Sequence, residues 1–475
     1  MFMTEVITNR DLVEAGIPGG SYLPSLTALG NRLLSEHSRE EVLRQVRDVY
    51  EAEHTVARLP LQDDVPELKI NLEADNEMEQ ANLEACIATM TEAARTPTVR
   101  GVAILPDACP SGPKGTITVG GVMATENAIH PGMHSADICC SMMATNLGPV
   151  DPALVMDTAF GHVRFGPLAR NTSDRLTPDP QLLRSFANNP FMRAEKILHN
   201  AKVQLGTQGD GNHFYFVGVS EKTGDTYVVS HHGSRGVGSH LYKLGMKEAM
   251  KYTQCRSPET LPVNSWIEAD SQVGQDYWEA LQLARLWTRF NHSAVHDLIA
   301  RDLGVDVRDR FWNEHNFVFR RHGLYYHAKG ATPAWEDFSD DHDRLGRTII
   351  PLNMGQPVLI VKGSDSPGAL GFSPHGAGRN MTRKAHKATL QGRSLEAVFA
   401  EETAHIDARF QSGRIDTSEL PSAYKKAEAV VDQIERMALA QVVDRIVPHG
   451  SIMAGESDAP WKQRRQARDR LSDEG

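Results

Sequence analysis

The sequence predicts an α+β protein, in which short strands are interrupted by long inserted helices. Short runs rich in β-branched and aromatic side chains recur from residue 99 onward. Between them lie longer stretches whose apolar residues recur at helical spacing. A chain of 475 residues with 40% hydrophobic and 23% charged residues can bury a large core. Together these observations favour a mixed α+β domain.

The first 65 residues are interpreted as an N-terminal helical extension. Residues 39–53 have helical spacing, and Ser38 stands where an N-cap residue would. A loop containing proline and glycine, at residues 17–24, precedes this helix. No residue of the segment suggests chemistry, so we expect the extension to dock or to recruit a partner.

Residues 66–455 are predicted to form the main domain. The patterns predict strands at 102–105, 116–122, 215–219 and 227–230, and helices at 77–94, 239–252, 276–303 and 421–446. The remaining residues, 456–475, form a charged tail. We interpret this tail as a solvated terminal helix and not as a nucleic-acid-binding arm.

Charge and cysteine content limit the classes of function. The chain has 50 Lys and Arg against 61 Asp and Glu, a net charge of −11, so any contact with a nucleic acid should be confined to a local basic groove. Five cysteines without paired spacing indicate a reducing compartment. Because no signal-like or membrane-length apolar stretch is visible, we expect a cytoplasmic protein without a membrane partner.

Five short motifs place histidine, cysteine or aspartate in unusual settings. They read Asp-Ile-Cys-Cys at 137–140, Gly-Asp-Gly-Asn-His-Phe at 209–214, His-His-Gly-Ser-Arg-Gly at 231–236, His-Asn at 315–316, and Ser-Pro-His-Gly-Ala-Gly-Arg at 373–379. Neutral imidazole, carboxylate and thiolate together bind divalent transition metals, here Mn, Fe, Co or Zn. The motifs therefore indicate one dispersed metal site, and the spacing does not choose the metal.

The first motif also bears on the number of metal ions. Asp137 and Cys140 lie three residues apart, so on a tight turn both could reach one ion, or the thiolate could bridge two ions. The short Cys-x-x-Cys pairs of a zinc finger are absent from the sequence. This pattern favours an enzyme site over a structural metal.

Glycines beside the motif histidines suggest that the same site binds phosphate. Residues without a Cβ let backbone N–H groups approach a ligand and form anion-binding concavities. Hydroxyl and guanidinium groups nearby are suited to phosphate oxygens, and they belong to Ser234, Arg235, Arg379 and Arg383. Phosphate chemistry is therefore the leading functional class.

The motifs occur in the order found in the RtcB RNA ligases, and the chain resembles that family over roughly residues 65 to 455. The matching blocks are Pro106-Asp107, the motifs at 137–140, 211–214 and 231–236, Asn291, His315-Asn316, Lys-Gly-Ala-Thr at 329–332, and 373–379. The resemblance implies a mixed α/β fold with a dinuclear metal site in a central cleft.

The resemblance also implies a reaction and a role for each motif. In this family a histidine attacks the α-phosphorus of GTP, the resulting GMP passes to an RNA 3′-phosphate, and a 5′-hydroxyl then displaces GMP. His375 matches that histidine. The ligands of two Mn²⁺ ions match Asp137, Cys140, His213, His231 and His315, with Cys140 as the bridge. The nucleotide-binding positions match Asn212, Asn316, His375, Gly376, Ala377, Gly378 and Arg379.

The same resemblance implies substrates and partners. The RNA would carry a 3′-phosphate or 2′,3′-cyclic phosphate end and a 5′-hydroxyl end, as in RNA repair or tRNA splicing. A nucleoside triphosphate, expected to be GTP, would be consumed, and an archease-like activator could be required. The GTP- and Mn-dependent activity and the roles of individual residues rest on the resemblance alone.

Departures from the family pattern fall around base recognition. Phe216 replaces the glutamate that reads the guanine edge, and the residues at 452–455, Ile-Met-Ala-Gly, replace a stretch with a C-terminal lysine. An aromatic ring can stack on a base but cannot accept hydrogen bonds from guanine. Smaller departures occur at Cys109, Cys139, Ser141 and Ala328. The chain therefore resembles a divergent paralogue whose base preference, GTP or ATP, is open.

Two other functions stay open at this point. One is a metal-dependent phosphoesterase that opens 2′,3′-cyclic phosphate ends, for which His375 would be dispensable. The other is a non-catalytic RNA-end binder. The histidines without a candidate role are expected to be solvated or structural, namely His232, His240, His292, His296, His322, His386 and His405. Cys86 is expected to pack as a small hydrophobe, Cys255 to be inert, and Cys139 to be a tolerated side chain.

Overall fold

The computed structural model describes residues 6–17, 19–20, 22–54, 58–112, 115–166, 169–338, 343 and 345–456. The charged tail predicted at 456–475 lies outside these ranges except for Glu456. The helices in the described residues are α1 (Asn9–Glu14), α2 (Leu23–Leu33), α3 (Arg39–His54), α4 (Glu77–Ala94), α5 (Pro152–His162), α6 (Pro180–Asn188), α7 (Glu195–Val203), α8 (Arg235–Arg256), α9 (Gln272–Leu303), α10 (Arg383–Thr389), α11 (Leu395–Thr403) and α12 (Ala427–Arg436).

The described residues also form strands, most of which are short. They are β1 (Leu68–Ile70), β2 (Val99–Cys109), β3 (Val119–Glu126), β4 (Ala128–Ile129), β5 (Ser141–Asn146), β6 (Phe214–Ser220), β7 (Thr226–His232), β8 (Ile267–Glu268), β9 (Asp309–Glu314), β10 (Asn316–Arg321), β11 (Leu324–Lys329), β12 (Ala331–Pro333), β13 (Arg347–Ile350), β14 (Val358–Gly363), β15 (Phe372–Pro374), β16 (Asp407–Phe410) and β17 (Ala440–Met453). The chain thus has the predicted mixed α/β fold.

The chain divides into two compact units. The smaller unit comprises Met1–Pro60 and Gln254–Pro258, whereas the sequence placed the end of the N-terminal extension at residue 65. Its helices α1, α2 and α3 pack around a small core that consists of Ile7, Leu12, Ile17, Leu23, Leu26, Val42 and Val46. As predicted, Ser38 caps α3, because its Oγ accepts the N–H of Glu41 at 3.4 Å.

The larger unit is built on two sheets. One has five strands in the order β1-β2-β3-β11-β10, and the other has the order β13-β14-β17-β6-β7-β5-β9 with β16 added beside β17. Most neighbours are antiparallel, and β1–β2 and β16–β17 are parallel pairs. In the second sheet β6, β7, β5 and β9 lie side by side, so residues at their ends come close together although they are far apart in sequence.

Several predicted elements match the structure because their signals are local. Helix α4 has the predicted bounds, and its N-cap Asn76 accepts the N–H of Glu79. Helix α9 starts at an N-cap serine, Ser271, and ends before Gly304, which has the left-handed φ of 66° that terminates many helices. The predicted strand at 116–122 is displaced, since β3 spans Val119–Glu126.

The helix predicted at 421–446 is confirmed only over Ala427–Arg436 and is wrong on both sides of it. Helix α12 ends at Arg436, and Ala438 has a left-handed φ of 49° that turns the chain. The residues that follow form β17, which is hydrogen-bonded to β14, β6 and β16. Pairing with these distant strands fixes the conformation of a stretch whose apolar spacing also fits a helix.

Among the helices of the described residues, none combines the length and the apolar character that crossing a membrane requires.

Candidate active site

A cavity of about 320 Å³ in the larger unit gathers the sequence motifs. Its walls include all the predicted nucleotide-binding positions and four of the five predicted metal ligands, namely Asp137, Cys140, Asn212, His231, His315, Asn316, His375, Gly376, Ala377, Gly378 and Arg379. The fifth predicted ligand, His213, contacts two of these ligands directly. The structure therefore brings every predicted metal ligand and nucleotide-binding residue to one place.

The first motif is a tight turn at the start of β5. The N–H of Cys140 donates to the carbonyl of Asp137 at 3.2 Å, and Cys139 between them has a left-handed φ of 57°. A left-handed φ is a conformation that favours glycine over residues with a side chain. The side chain of Cys139 is fully buried, as a tolerated side chain would be.

Backbone hydrogen bonds attach this turn to the fourth motif. The N–H of His315 donates to the carbonyl of Cys140 at 2.9 Å, and the N–H of Cys139 donates to the carbonyl of Asn316 at 2.8 Å. Asn316 in turn accepts the N–H of Gly330 through Oδ1 at 2.7 Å. Main-chain hydrogen bonds and the side chain of Asn316 thus hold three motifs that are distant in sequence in a fixed relation.

Two groups of side chains could each hold a metal ion, and they share one residue. One group is Cys140, His231 and His315, and the other is Asp137, Cys140 and His213. Cys140 Sγ lies 3.1 Å from His231 Nε2 and 3.4 Å from His213 Nε2. A shared thiolate between two ligand groups is the arrangement that a bridged pair of ions needs.

The two histidines on either side of Cys140 are oriented by main-chain carbonyls. His213 Nδ1 lies 2.6 Å from the carbonyl oxygen of Gln208, and His231 Nδ1 lies 3.0 Å from that of Asn212. An Nδ1–H that donates to a carbonyl leaves Nε2 with a lone pair directed at the shared sulfur. Both Nε2 atoms also have a second neighbour, Asp137 Oδ2 and His315 Nε2 respectively, each at 3.1 Å.

Protonation states suit a site that takes up cations. Burial, followed by the charges of neighbouring histidines, lowers the pKa of His231 and His315 well below 6.5, so both are neutral ligands at physiological pH. Burial and then the Asp137 carboxylate raise the pKa of the Cys140 thiol well above 9.0. A thiol in such a place loses its proton only when its sulfur coordinates a metal ion, so metal binding and thiolate formation are coupled.

His375 is held by a carboxylate, Asp107, to which the sequence analysis gave no role in the site. Its Nδ1 lies 2.5 Å from Asp107 Oδ2, and its own N–H donates to the same oxygen at 3.2 Å. Asp107 is fully buried at the end of β2. The carboxylate selects the Nδ1–H tautomer and leaves Nε2 available as a nucleophile. The ring of His375 lies 4.7 Å from the ring of His315, so the nucleophile candidate borders the ligand cluster.

Two glycines make this arrangement possible. A Cβ on Gly330, which has a φ of 66°, would lie 3.0 Å from the imidazole of His375. A Cβ on Gly378, which has a φ of 75°, would lie 2.2 Å from the carbonyl oxygen of Asp107. Both positions therefore exclude larger residues on steric and conformational grounds.

Polar groups at the cavity rim form a network around one buried glutamate. Glu419 Oε1 accepts from Arg383 Nε at 2.8 Å, and Oε2 accepts from the hydroxyl of Tyr424 at 2.6 Å. Arg379 stacks over the ring of Tyr424 and donates from Nη2 to the carbonyl of Ser418. Nη1 of Arg379 lies 3.6 Å from Glu419 Oε2, and its buried Nε has no hydrogen-bond partner among the described residues.

The phosphate contacts suggested for Ser234 and Arg235 are not supported. Ser234 Oγ donates to the carbonyl of Ile138 at 2.5 Å, and Arg235 donates to Gly166 and Thr207. Neither residue lines the cavity. Their hydrogen bonds stabilise the turn and the loops next to the site. The prediction failed because a motif pattern does not tell which way a side chain points.

Lys329 is a further cavity residue with unusual surroundings. Its Nζ donates to Ser111 Oγ at 2.6 Å and to the carbonyl of Ile117 at 2.9 Å. Burial lowers the pKa of Lys329 to about 8, and Cys109 opposes that shift. The lysine is therefore mostly charged at neutral pH and can offer a positive group to an anionic ligand.

Part of the cavity wall is apolar. It consists of Phe214, Phe216, Pro351, Leu352, Met354, Val358 and Met453, and the wall also includes the polar residues Asn353 and Ser451. Phe216 is 1% exposed and lies between Val229 and Ser451 in the sheet. The acidic side chains among the described cavity residues are Asp137 and Glu419, and position 216 carries a phenylalanine.

Several histidines without a candidate role in the site are structural. His232 stacks on His292 with ring centroids 3.4 Å apart, and Ser230 Oγ lies 2.7 Å from both His292 Nδ1 and His296 Nε2. These rings are buried beneath the strands that carry the ligands. His386 is also buried and contacts Ser422, so these residues are not solvated. Cys86 is fully buried in the core, as predicted, and Cys255 is exposed.

Replacing Asp107 with asparagine is expected to impair the chemistry of His375 without emptying the metal site. An amide can donate to Nδ1 and so stabilise the wrong tautomer, which in other enzymes costs up to about 10⁴ in rate. Asp107→Asn should therefore lower the rate of any reaction at His375 by roughly 10² or more while bound Mn²⁺ is unchanged. Single-turnover kinetics and elemental analysis measure the two quantities. Equal rates for variant and wild type would show that the carboxylate does not orient the imidazole.

The site contains two candidate ligand groups that share the thiol of Cys140. Next to them lies His375, which a carboxylate holds in a glycine-rich loop. The site therefore combines the chemistry of a transition-metal site with that of a histidine nucleophile. The chain belongs to the RtcB family, since the family model described as tRNA-splicing ligase RtcB matches residues 183–454. Asp107, Asp137 and Cys140 precede the matched residues.

Individual relatives agree with this assignment. The chain is 26% identical over 448 residues to the tRNA-splicing ligase RtcB of Aeropyrum pernix, covering 76% of the chain and 90% of that protein. It is 27% identical over 367 residues to the RNA-splicing ligase RtcB of Escherichia coli K12, covering 70% and 85%. It is 28% identical over 305 residues to the tRNA-splicing ligase RtcB of Archaeoglobus fulgidus, covering 55% of the chain but only 62% of that relative.

Proposed function

We propose that the protein is an RNA ligase that joins a 3′-phosphate or 2′,3′-cyclic phosphate end to a 5′-hydroxyl end, in RNA repair or tRNA splicing. The observation that carries the proposal is the contact of His375 Nδ1 with Asp107, which leaves Nε2 at the border of the ligand cluster. The names of the relatives, tRNA-splicing and RNA-splicing ligases, support RNA as the substrate.

The first proposed step forms a bond between His375 and a nucleotide. Nε2 attacks the α-phosphorus of a nucleoside triphosphate, the bond to the β-phosphate oxygen breaks, and pyrophosphate leaves. Asp107 stays hydrogen-bonded to Nδ1 and stabilises the positive charge that develops on the imidazole. The product is a histidine–nucleotide phosphoramidate, with GMP expected as the nucleotide.

Two further displacements complete the proposed reaction. An oxygen of the RNA 3′-phosphate attacks the phosphoramidate and returns His375 to its neutral form, which leaves an activated RNA end. The 5′-hydroxyl then attacks the phosphorus of the RNA 3′-phosphate, loses its proton and expels the nucleoside monophosphate. A 2′,3′-cyclic phosphate end would first require hydrolysis to a 3′-phosphate.

The donor set fits two Mn²⁺ ions. Cys140, His231 and His315 would hold one ion, and Asp137, Cys140 and His213 the other. Mixed sulfur, nitrogen and oxygen donors suit first-row transition metals, and the neutral histidines need lose no proton to bind. When bound, the ions would neutralise phosphate charge and activate the reacting groups.

The remaining cavity residues are assigned to the nucleotide and the RNA. Asn212, Asn316 and the loop Gly376–Arg379, all of which line the cavity, would contact phosphates. The apolar part of the cavity wall would receive the base. RNA would approach a local rim that includes Arg383, because the net charge of −11 does not favour a broad contact. An archease-like activator is a possible partner.

A ligation assay separates this proposal from the phosphoesterase and the non-catalytic binder. Two RNA fragments, one ending in a 3′-phosphate or cyclic phosphate and one starting with a 5′-hydroxyl, are incubated with Mn²⁺ and with or without a nucleoside triphosphate. The ligase account expects joined product only when the triphosphate is present. If the cyclic phosphate is opened without triphosphate, and at an equal rate in His375→Ala, the phosphoesterase is favoured. If the protein binds the RNA but forms neither joined RNA nor an opened phosphate, the non-catalytic binder is favoured.

Base selectivity is expected to be weak. Because Phe216 lies where the family has a base-reading glutamate, recognition would rest on phosphate contacts and stacking. ATP and GTP should form the adduct with efficiencies within roughly tenfold, a difference of about 1.4 kcal/mol. Phe216→Glu should shift the ratio toward GTP, whereas Phe216→Leu, the matched apolar control, should not.

Initial rates of adduct formation with each labelled nucleotide measure this ratio. A wild-type preference for GTP of roughly a thousandfold, about 4 kcal/mol, would show that other residues read guanine. Thermal unfolding of both variants checks that replacing the buried Phe216 leaves the sheet folded.

A further inference from the structure

A buried lysine outside the cavity contacts the main chain on both sides of Asp107. Lys425 is 4% exposed and is not among the cavity residues. Its Nζ donates to the carbonyl of Pro106 at 2.7 Å and to that of Ala108 at 3.0 Å. Both bonds come from a charged donor, so they are stronger than neutral ones. The ammonium group thereby fixes the peptide units that carry the Asp107 side chain.

The main chain at Lys425 also holds the loop of the nucleophile candidate. The N–H of Lys425 donates to the carbonyl of Gly378 at 3.0 Å. The preceding residue, Tyr424, forms an isolated antiparallel bridge with Arg379, whose guanidinium stacks on its ring. One short segment therefore connects the end of β2, which carries Asp107, with the loop that carries His375.

The charge of Lys425 is matched to its neighbours. Burial lowers its pKa from 10.5, and the nearby Asp107 is the main opposing influence, followed by Cys109 and Glu79. Asp107 Oδ1 is buried and has no hydrogen-bond partner among the described residues. A buried carboxylate oxygen of this kind needs a positive charge close by, and Lys425 supplies one.

We propose that Lys425 is a positioning residue that fixes the Asp107 carboxylate on Nδ1 of His375. The proposal rests on the proposed role of His375 as the nucleophile. Lys425 acts through Asp107, since its ammonium group contacts the two neighbouring carbonyls and lies outside the cavity. Its predicted effect is on the tautomer and alignment of the imidazole and not on ligand binding.

The first test observes the imidazole directly, in protein without metal or nucleotide. Protein labelled with ¹⁵N-histidine is compared by NMR for wild type, Lys425→Met and Lys426→Met, and the His375 signals are those missing in His375→Ala. Lys426 is the exposed neighbour and serves as the matched control. We expect a single Nδ1–H tautomer in wild type and in Lys426→Met, and mixed tautomers in Lys425→Met. A wild-type tautomer in Lys425→Met would overturn the proposal.

A second variant covers the case in which Lys425→Met does not fold. Lys425→Arg keeps a charged donor, so it should keep the single tautomer, and Lys425→Gln keeps a donor without charge, so it should give mixed tautomers. Thermal unfolding shows which variants are folded. Identical spectra for folded Lys425→Arg and Lys425→Gln would contradict a role for the charge.

The second test is a double-mutant cycle on the rate of adduct formation at saturating triphosphate. Lys425→Met should slow the reaction by about tenfold to a hundredfold with bound Mn²⁺ and the half-saturating nucleotide concentration unchanged. In an Asp107→Asn background the same change should add less than about threefold, because the partner is already lost. Fully additive effects would show that Lys425 does not act through Asp107. If wild type forms no adduct, the proposed ligase function fails, while the NMR test still decides the role of Lys425.

Discussion

His375→Ala is expected to abolish both the covalent nucleotide adduct and the joining of RNA ends. Alanine removes the nitrogen that forms the phosphoramidate, and losing a nucleophile costs roughly 10³-fold or more in rate in comparable enzymes. Bound Mn²⁺ should be unchanged, since neither candidate ligand group includes His375. Labelling with an α-labelled triphosphate, the ligation assay and elemental analysis give the three readouts.

His386→Ala is the matched control for this change, because His386 is also buried but lies outside the described cavity. It should retain the adduct and ligation. Ligation at the wild-type rate by His375→Ala would mean that another residue is the nucleophile or that the reaction needs none.

Cys140→Ala is expected to remove most of the bound Mn²⁺ and, with it, activity. Cys140 is the only residue common to both candidate ligand groups of the described chain, so its loss removes a donor from each. The neighbouring Cys139→Ala is the control, since Cys139 is fully buried and belongs to neither group. Elemental analysis after dialysis measures the metal content. Equal Mn²⁺ in wild type and Cys140→Ala would remove the basis for a bridging thiolate.

Local sequence signals were sufficient to predict helices such as α4 and α3, because the apolar periodicity lies within the helix and the capping residue directly precedes it. They were insufficient for β17, whose conformation depends on pairing with strands up to hundreds of residues away. The apolar residues of this stretch fit both the helical and the strand spacing, and pairing with the neighbouring strands decides that it forms a strand.

The candidate site shows the same division. Ordered motifs named the residues that the sheet gathers around Cys140. Asp107 was part of a matching block, but its contact with His375 spans 268 positions, and no local pattern marks it. Lys425 was missed for the same reason, since its contacts are with main-chain carbonyls, which carry no sequence signal. Ser234 and Arg235 were wrongly predicted to bind phosphate, because the spacing of residues does not reveal side-chain direction.

The adduct itself is the most direct test of the central claim. Purified protein is incubated with Mn²⁺ and each α-labelled nucleoside triphosphate, and the product is mapped by mass spectrometry under conditions that preserve phosphoramidates. The account predicts an acid-labile nucleotide on His375, released when RNA with a 3′-phosphate is added. Mn²⁺-loaded protein that forms no adduct with any triphosphate, or forms it on a residue other than His375, would contradict the account.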